Sequence, residues 1–167
     1  MSEETTGANT YQRLLAAARE DNEEMLLDVF AEGGFDINFQ DGLGNTALHY
    51  AASLGSLVVL EHILEHEECD VDPINRIEKA TPLILAVKLE DQELRLEVVE
   101  SLLDAGADTR IKDKAGETAL DYLPADDKAT RALFQKATAV SGVSKDDIAD
   151  DSDGEPGSGS GSGSDDE

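Results

Sequence analysis

The chain has 167 residues, of which 38 are acidic and 13 basic, so its formal net charge is −25. A surface with this charge repels the phosphates of nucleic acids and anionic lipids, which argues against direct nucleic-acid or membrane partners. The length predicts one domain, and because aromatic residues make up only 4% of the chain and tryptophan is absent, its core should be aliphatic.

The cellular compartment can be inferred from cysteine usage and from the N-terminus. Cys69 is the only cysteine, and the first residues have neither the basic start nor the apolar run of a signal peptide. No window approaches the roughly 18 apolar residues of a membrane span. We therefore expect a cytoplasmic protein, with the nucleus as a second location.

Composition divides the chain into three segments. Residues 1–9 are polar, and we expect them to be disordered. Residues 10–137 carry nearly all the apolar periodicity. Residues 138–167 are rich in Gly and Ser and contain nine acids against one lysine. Such a segment buries too little apolar area to offset its ordering entropy, which predicts a disordered acidic tail.

The middle segment contains an internal repeat. NTALHYAASLG (45–55), ATPLILAV (80–87) and ETALDYL (117–123) align, and their threonines recur at Thr46, Thr81 and Thr118. Each unit reads as a short apolar helix, a tight connection, a second helix and an exit of small residues. The predicted repeats are about 10–38, 39–74, 75–111 and 112–137.

The motifs TALHYAASLG, TPLILAV and GADTRIKDKAGETALD resemble the ankyrin repeat. This resemblance implies an all-α solenoid of about four helix-turn-helix units with short β-hairpin fingers. It also implies a protein-binding module and no enzyme, although fold alone does not name the partner. Asp121 at the usual histidine position, with Pro124 soon after, suits a terminal capping repeat.

Several motif residues have structural explanations. Thr46, Thr81 and Thr118 are placed to cap the helices that follow them, and Pro82 suits a first helical turn. The ankyrin resemblance implies that the His49 ring bonds backbone between neighbouring repeats. The alternative is a catalytic group of His49 with Thr46 and Asp41, but no serine or cysteine nucleophile lies beside the histidine.

His62, His66 and Cys69 form an H-x3-H-x2-C pattern that a metal ion could use. Cys69 aligns with a small buried position of the repeat, and no fourth ligand has matching spacing. We therefore expect a solvated helix face, with no metal and no cofactor.

Three serines in the acidic segment have an acid three residues further on, as acidophilic kinases require: Ser144, Ser152 and Ser164. Such matches also arise by chance in a Ser/Asp-rich tail. They are candidate phosphorylation sites.

Ankyrin arrays bind through finger tips and inner helices, so the resemblance assigns partner-binding positions here. They are Phe39, Leu43, Asn45, Ser53, Leu54, Ile77, Glu78, Lys88, Leu89, Lys114 and Glu117. The apolar members, rimmed by acids, suit a protein with a basic, partly apolar surface. The alternative is that some of them pack against neighbouring fingers.

Three functions fit this pattern. The first is an adaptor or escort, chaperone-like, for a basic client protein. The second is a regulatory subunit or inhibitor that occludes an enzyme surface, and the third is a scaffold without a dedicated client. We expect a monomer in each case.

Overall fold

The computed structural model describes residues 3–145, with side chains from residue 10 to residue 139. This part of the chain holds eight helices. In chain order they are α1 (Glu3–Glu20), α2 (Glu23–Glu32), α3 (Ala47–Leu54), α4 (Leu57–Glu65), α5 (Pro82–Ala86), α6 (Gln92–Asp104), α7 (Ala119–Tyr122) and α8 (Lys128–Lys145). None of them is long and apolar enough to cross a membrane. The predicted helical repeat is confirmed.

The chain falls into two compact units, which meet in sequence after Leu133. In the second unit, residues 134–145 are helical throughout. The first unit contains helices α1 to α7 and the turns that precede α3, α5 and α7.

The first unit is a stack of two helical layers. Helices α1, α3, α5 and α7 each contact the next along the series, and we call them the first layer. Helices α2, α4 and α6 do the same and form the second layer. One helix pair cannot bury its apolar face alone, so each pair depends on its neighbours for a continuous core.

Residue size fits this stacking. The first layer buries small residues such as Ala51, Ala52 and Ala86, which let helices approach closely. The second layer fills the space with larger aliphatic residues, among them Leu60 and Leu102. The core is aliphatic, as the composition predicts.

The fingers that precede α3, α5 and α7 are tight turns, and residues 3–145 contain no strand. The prediction of β-hairpin fingers is wrong in this respect. The reason is that the fingers are short. One backbone hydrogen bond closes each finger across its base, from the Asp41 amide to the Asn45 carbonyl in the first and from the Asp113 amide to the Glu117 carbonyl in the third. The next residue already begins the helix cap, so no ladder can form.

Two helices are longer than the sequence suggests. The structure begins α1 at Glu3 and ends α8 at Lys145, so helix extends into both segments that we expected to be disordered. Neither helix contains a proline, the residue that most strongly stops a helix. The rest of the tail lies outside the described residues.

Residues 91–97 contain the cap and the first turns of α6. This helix has 13 residues, against 9 in α4, and Asp91 caps it by accepting hydrogen bonds from the amides of Glu93 and Leu94. Leu94 fills the space beside Gly55, where an added Cβ would lie 2.3 Å from the leucine Cδ2 atom. The segment therefore packs α6 against the end of α3.

Candidate protein-binding surface

Each finger is shaped by one polar side chain at its base. In the first, the Asp41 Oδ1 atom accepts hydrogen bonds from the amides of Leu43 and Asn45, each at 3.0 Å. In the third, Asp113 does the same for Ala115 and Glu117, at 2.9 and 3.0 Å. These local bonds fix the backbone of a turn that has few bonds of its own.

The second finger uses an amide in place of the carboxylate. The Asn75 Oδ1 atom accepts from the amides of Glu78 and Ala80, at 3.3 and 3.0 Å. Its closing bond runs from Asn75 to Ala80, one residue further than in the other fingers. Lys79 adopts a positive φ of 56° there, a conformation that glycine reaches with less strain.

Backbone hydrogen bonds join the three fingers into a row. The Arg76 amide donates to the Leu43 carbonyl at 2.9 Å, and the Lys114 amide donates to the Glu78 carbonyl at 2.8 Å. The first contact brings the chains so close that a Cβ on Gly44 would lie 2.6 Å from the Arg76 nitrogen. The finger tips therefore form one continuous surface.

The threonines at the helix starts sit where caps are needed. The Thr46 Oγ1 atom accepts from the His49 amide at 3.2 Å, and Thr81 accepts from Ile84 at 3.3 Å, with Pro82 in the first turn. The Thr118 amide donates to the Asp121 carboxylate at 2.8 Å, and its hydroxyl donates to the same oxygen at 3.0 Å. Asp121 thus stands in for a histidine at this helix start.

His49 links two repeats through its ring. Its Nδ1 atom accepts from the Thr46 amide at 3.0 Å, and its Nε2 atom lies 2.9 Å from the carbonyl oxygen of Ala80 in the next repeat. This arrangement requires a neutral ring with the proton on Nε2. Burial lowers the pKa of His49 by more than the bond to Ala80 raises it.

Two tyrosines are held by the finger carboxylates. The Tyr50 hydroxyl donates to Asp41, and the Tyr122 hydroxyl donates to Asp113. The bond from Asp113 raises the pKa of Tyr122 to about 12. A cation from the preceding repeat also lies over each ring. For Tyr50 it is the Arg19 guanidinium, whose Cζ atom is 5.2 Å from the ring centroid.

The apolar residues expected to bind a partner are partly exposed and partly engaged within the chain. Leu43, Leu54 and Ile77 are 49%, 52% and 59% exposed, whereas Leu89 is half-buried. The Phe39 ring stacks on Tyr11 with centroids 4.0 Å apart. Packing against neighbours therefore accounts for Phe39, as the alternative interpretation allowed.

The polar candidates divide in the same way. Glu78, Lys88, Lys114 and Glu117 are exposed. The Asn45 side chain accepts from Asn75 at 3.0 Å, and the Ser53 hydroxyl donates to the Tyr50 carbonyl at 3.3 Å, so both make bonds within the array.

Sequence reasoning missed several contributors to this surface. Ile74 and Leu120, which are close in sequence to the predicted residues Ile77 and Glu117, are 43% and 36% exposed. The roles of Asp41 and Asp113 could have been found from the shared D-x-x-G spacing at 41–44 and 113–116. That of Asn75 has no such signal, because the second finger lacks the glycine.

His62, His66 and Cys69 have separate surroundings. The His62 Nε2 atom lies 2.8 Å from the Glu23 carboxylate, and His66 packs edge-on against Phe30 and Phe35. Within residues 10–139, no group of three His, Cys, Asp or Glu side chains is arranged to hold a metal ion. Burial raises the pKa of the Cys69 thiol to about 11, which makes it a poor nucleophile.

Of the candidate phosphorylation sites, Ser144 lies in the last turn of α8. Ser152 and Ser164 lie outside the described residues.

Comparisons with known proteins agree with this architecture. A family model of three ankyrin repeats matches residues 14–113. The chain is 34% identical over 134 residues to an ankyrin repeat-containing protein of Saccharomyces cerevisiae. The matched region covers 74% of each of the two chains. It is 38% identical over 94 residues to human ankyrin repeat and SOCS box protein 6, but covers only 21% of that protein.

A third relative is the E3 ubiquitin-protein ligase hecd-1 of Caenorhabditis elegans, at 30% identity over 112 residues. The chain covers 4% of that protein, so the named ligase activity is not carried over by the match. Ankyrin repeats are typically non-enzymatic interaction modules that use an extended surface of stacked units. Both the family model and the yeast relative place this chain in the ankyrin-repeat family.

Proposed function

We propose that this protein is a non-enzymatic adaptor or escort that binds a client protein with a basic, partly apolar surface. The observation that carries the proposal is the exposure of Leu43, Leu54 and Ile77 on the fingers and at the end of a first-layer helix. Each is about half exposed in a chain with 38 carboxylates. Apolar anchors surrounded by polar residues are the usual composition of a binding surface.

The apolar side chains supply the energy of such an interface. Burying a leucine or isoleucine side chain fully is worth about 1.5–3 kcal/mol, and these three have about half of that area still to bury. Their turns and helices are already fixed by hydrogen bonds, so binding requires little ordering of the backbone. Pre-organisation of this kind increases affinity.

The acidic surface supports a basic client. A groove of about 390 Å³ between α4 and α6 is lined by Glu61, Glu65, Glu100 and Asp104. With a net charge of −25, the protein attracts positively charged proteins at long range and speeds their association. Such steering weakens as salt screens the charges.

The exposed leucines also favour a second function, a regulatory subunit that occludes an enzyme surface. An interface made mainly by apolar contacts would hold in high salt, whereas escort of a basic client weakens steeply. The salt dependence of binding therefore separates the two.

The experiment is capture of clients on the immobilised full chain, at about 50 mM and about 500 mM salt. The test variant is Leu43→Asp/Leu54→Asp, and the matched control is Leu27→Asp/Val58→Asp in α2 and α4, where the side chains are 42% and 44% exposed. We expect wild type and control to capture a basic protein at low salt and the test variant to lose it. Equal loss in both variants, or capture of acidic proteins only, would contradict the proposal.

Two further features belong to this proposal. The client is met in the cytoplasm or nucleus, because a lone half-buried Cys69 suits a reducing compartment. The protein acts as a monomer, with its finger surface free for the client.

A further inference from the structure

The second and third fingers carry a local positive charge that contrasts with the rest of the chain. We define the finger patch as residues 76–79, residue 88 and residues 112–117. It contains five of the 13 basic residues and three acidic ones, for a net charge of +2 in a chain of −25. The basic members are Arg76, Lys79, Lys88, Lys112 and Lys114.

The cations of the patch are available to a ligand. All five basic residues are exposed, and none forms an ion pair with another described residue. Of the carboxylates in the patch, Asp113 is already engaged, because it accepts hydrogen bonds from two backbone amides and from the Tyr122 hydroxyl. These bonds outweigh the effect of burial and keep the pKa of Asp113 low. Glu78 and Glu117 are exposed, and the five cations outnumber the three carboxylates.

A cavity of about 440 Å³ lies between the two fingers, inside this patch. Its apolar wall consists of Ile77, Ala115 and the ring of Tyr122. The charged groups that line it are the lysines Lys88 and Lys114 and the carboxylates Glu78 and Asp113. The Lys88 ammonium lies 4.3 Å from the centroid of the Tyr122 ring. The cavity is large enough for one large side chain and an adjacent charged group.

The ring that forms the wall is held at its hydroxyl and over one face. Asp113 accepts a hydrogen bond from the Tyr122 hydroxyl, and the Lys88 ammonium lies over one face of the ring. The backbone bond from Lys114 to Glu78, at 2.8 Å, fixes the distance between the fingers. The cavity is therefore pre-formed, so a ligand pays little to organise it.

We propose that this cavity binds an anchor of the partner made of an aromatic or large aliphatic side chain next to a carboxylate. The apolar side chain packs on Ile77 and the Tyr122 ring, and the carboxylate pairs with Lys88 and Lys114. Charge-assisted hydrogen bonds of this kind are shorter and stronger than those between neutral groups. The inference goes beyond the proposed function, because it holds whatever the overall charge of the partner.

The finger patch and the acidic rest of the chain have different roles in recognition. The acidic rest of the chain attracts a basic partner from a distance, and the finger patch binds an acidic group of that partner. A positively charged group of the partner at that position is repelled by the net positive patch, so the patch fixes the register of binding. A partner with a basic surface and no acidic anchor binds less tightly.

The test uses short peptides with identical Gly/Ser flanks and one of three centres: Glu-Phe-Glu, Gln-Phe-Gln or Lys-Phe-Lys. Each is titrated into the isotopically labelled full chain, and the backbone amide signals are followed by NMR. We expect the Glu-Phe-Glu peptide to shift the amides of Ile77, Glu78, Lys114 and Ala115 with a Kd in the millimolar range or tighter. The uncharged peptide should bind about tenfold more weakly, and the Lys-Phe-Lys peptide should leave these signals unchanged.

The matched variants are Lys88→Gln/Lys114→Gln and, as control, Lys128→Gln/Lys136→Gln. All four lysines are exposed, and both variants remove two positive charges. Only the first should abolish the preference for the acidic peptide. Equal loss in both, stronger binding of the basic peptide, or no shift of these amides with any peptide would overturn the inference.

The outcome is separable from that of the client experiment. A basic client captured through Leu43 and Leu54, without a response to the acidic peptide, would overturn this inference and leave the proposed function standing. A specific response to the acidic peptide without capture of a basic client would overturn the proposed function and leave this inference standing.

Discussion

The guanidinium of Arg95 in α6 lies 2.7 Å from the carboxylate of Asp127, and both side chains are buried. Arg95 also donates to the Leu89 carbonyl at 2.7 Å, and Asp127 accepts from the Thr130 amide at 3.1 Å, so both charged groups are well bonded. These bonds outweigh the burial that would otherwise raise the pKa of Asp127. The pair ties the third repeat to the start of α8.

Breaking this pair should destabilise the array strongly. Asp127→Ala leaves the Arg95 charge buried without its partner and should lower the free energy of unfolding by about 3–5 kcal/mol. Asp126→Ala is the control, because that neighbour is exposed. Chemical denaturation measures both.

A double mutant tests whether the pairing itself is responsible. Arg95→Met/Asp127→Ala removes both charges and should recover part of the loss, because no unpaired charge remains in the core. Losses that simply add would show that the two side chains act independently.

Glycine 44 should be essential for joining the first two fingers. Gly44 and Gly116 share a φ of 81°, but a Cβ would lie 2.6 Å from the Arg76 nitrogen at Gly44 and would meet nothing within 4 Å at Gly116. Gly116→Ala should therefore lower the free energy of unfolding only by the strain of placing alanine in a left-handed backbone, about 1–2 kcal/mol. Gly44→Ala should lose clearly more, because the fingers must separate. Equal losses in thermal or chemical unfolding would show that the close approach relaxes without penalty.

His49 should make the stability of the array depend on pH. Its pKa is lower in the folded chain than the ordinary value of about 6.5, so the unfolded chain binds the proton more readily. The contribution of the neutral His49 ring to the free energy of unfolding is therefore fully present above about pH 6.5 and is lost as the pH falls below that value. For one group the slope is at most about 1.4 kcal/mol per pH unit.

The measurement is the unfolding free energy at about pH 7.5 and about pH 5.5, above the range where most carboxylates titrate. His49→Gln should flatten the difference and lower the stability at the higher pH. His62→Gln is the control, because that ring faces Glu23 at a partly exposed position. An unchanged pH dependence in His49→Gln would mean that other groups cause it.

The helical stack could be predicted from sequence because its signals are local and repeated. The threonine before α3, α5 and α7, the alanines that follow it and the aliphatic stripe of the second helix recur at near-constant spacing. Stacking of such units is then the only way to bury their apolar faces.

The contacts between fingers could not be predicted in the same way. Asn45 looks like a free polar tip in the sequence, but it bonds to Asn75, which is 30 residues away. Arg95 and Asp127 are 32 residues apart, and with 38 acids in the chain no pattern singles out this one as the partner. Long-range pairs of single residues leave no periodicity.

The finger leucines and the acidic tail should affect client binding in different kinetic steps. Leu43→Asp/Leu54→Asp removes the apolar contacts that these side chains would make with the client, so it should speed dissociation. Deletion of residues 146–167 removes nine carboxylates and no basic residue, so it should slow association and flatten its salt dependence. A full-length tail with those nine acids changed to Asn and Gln keeps the chain length and should behave like the deletion. Association and dissociation rates with a captured client, at low and high salt, test both expectations. Unchanged association after the deletion would mean that the repeats alone, with the acidic groove between α4 and α6, steer the encounter.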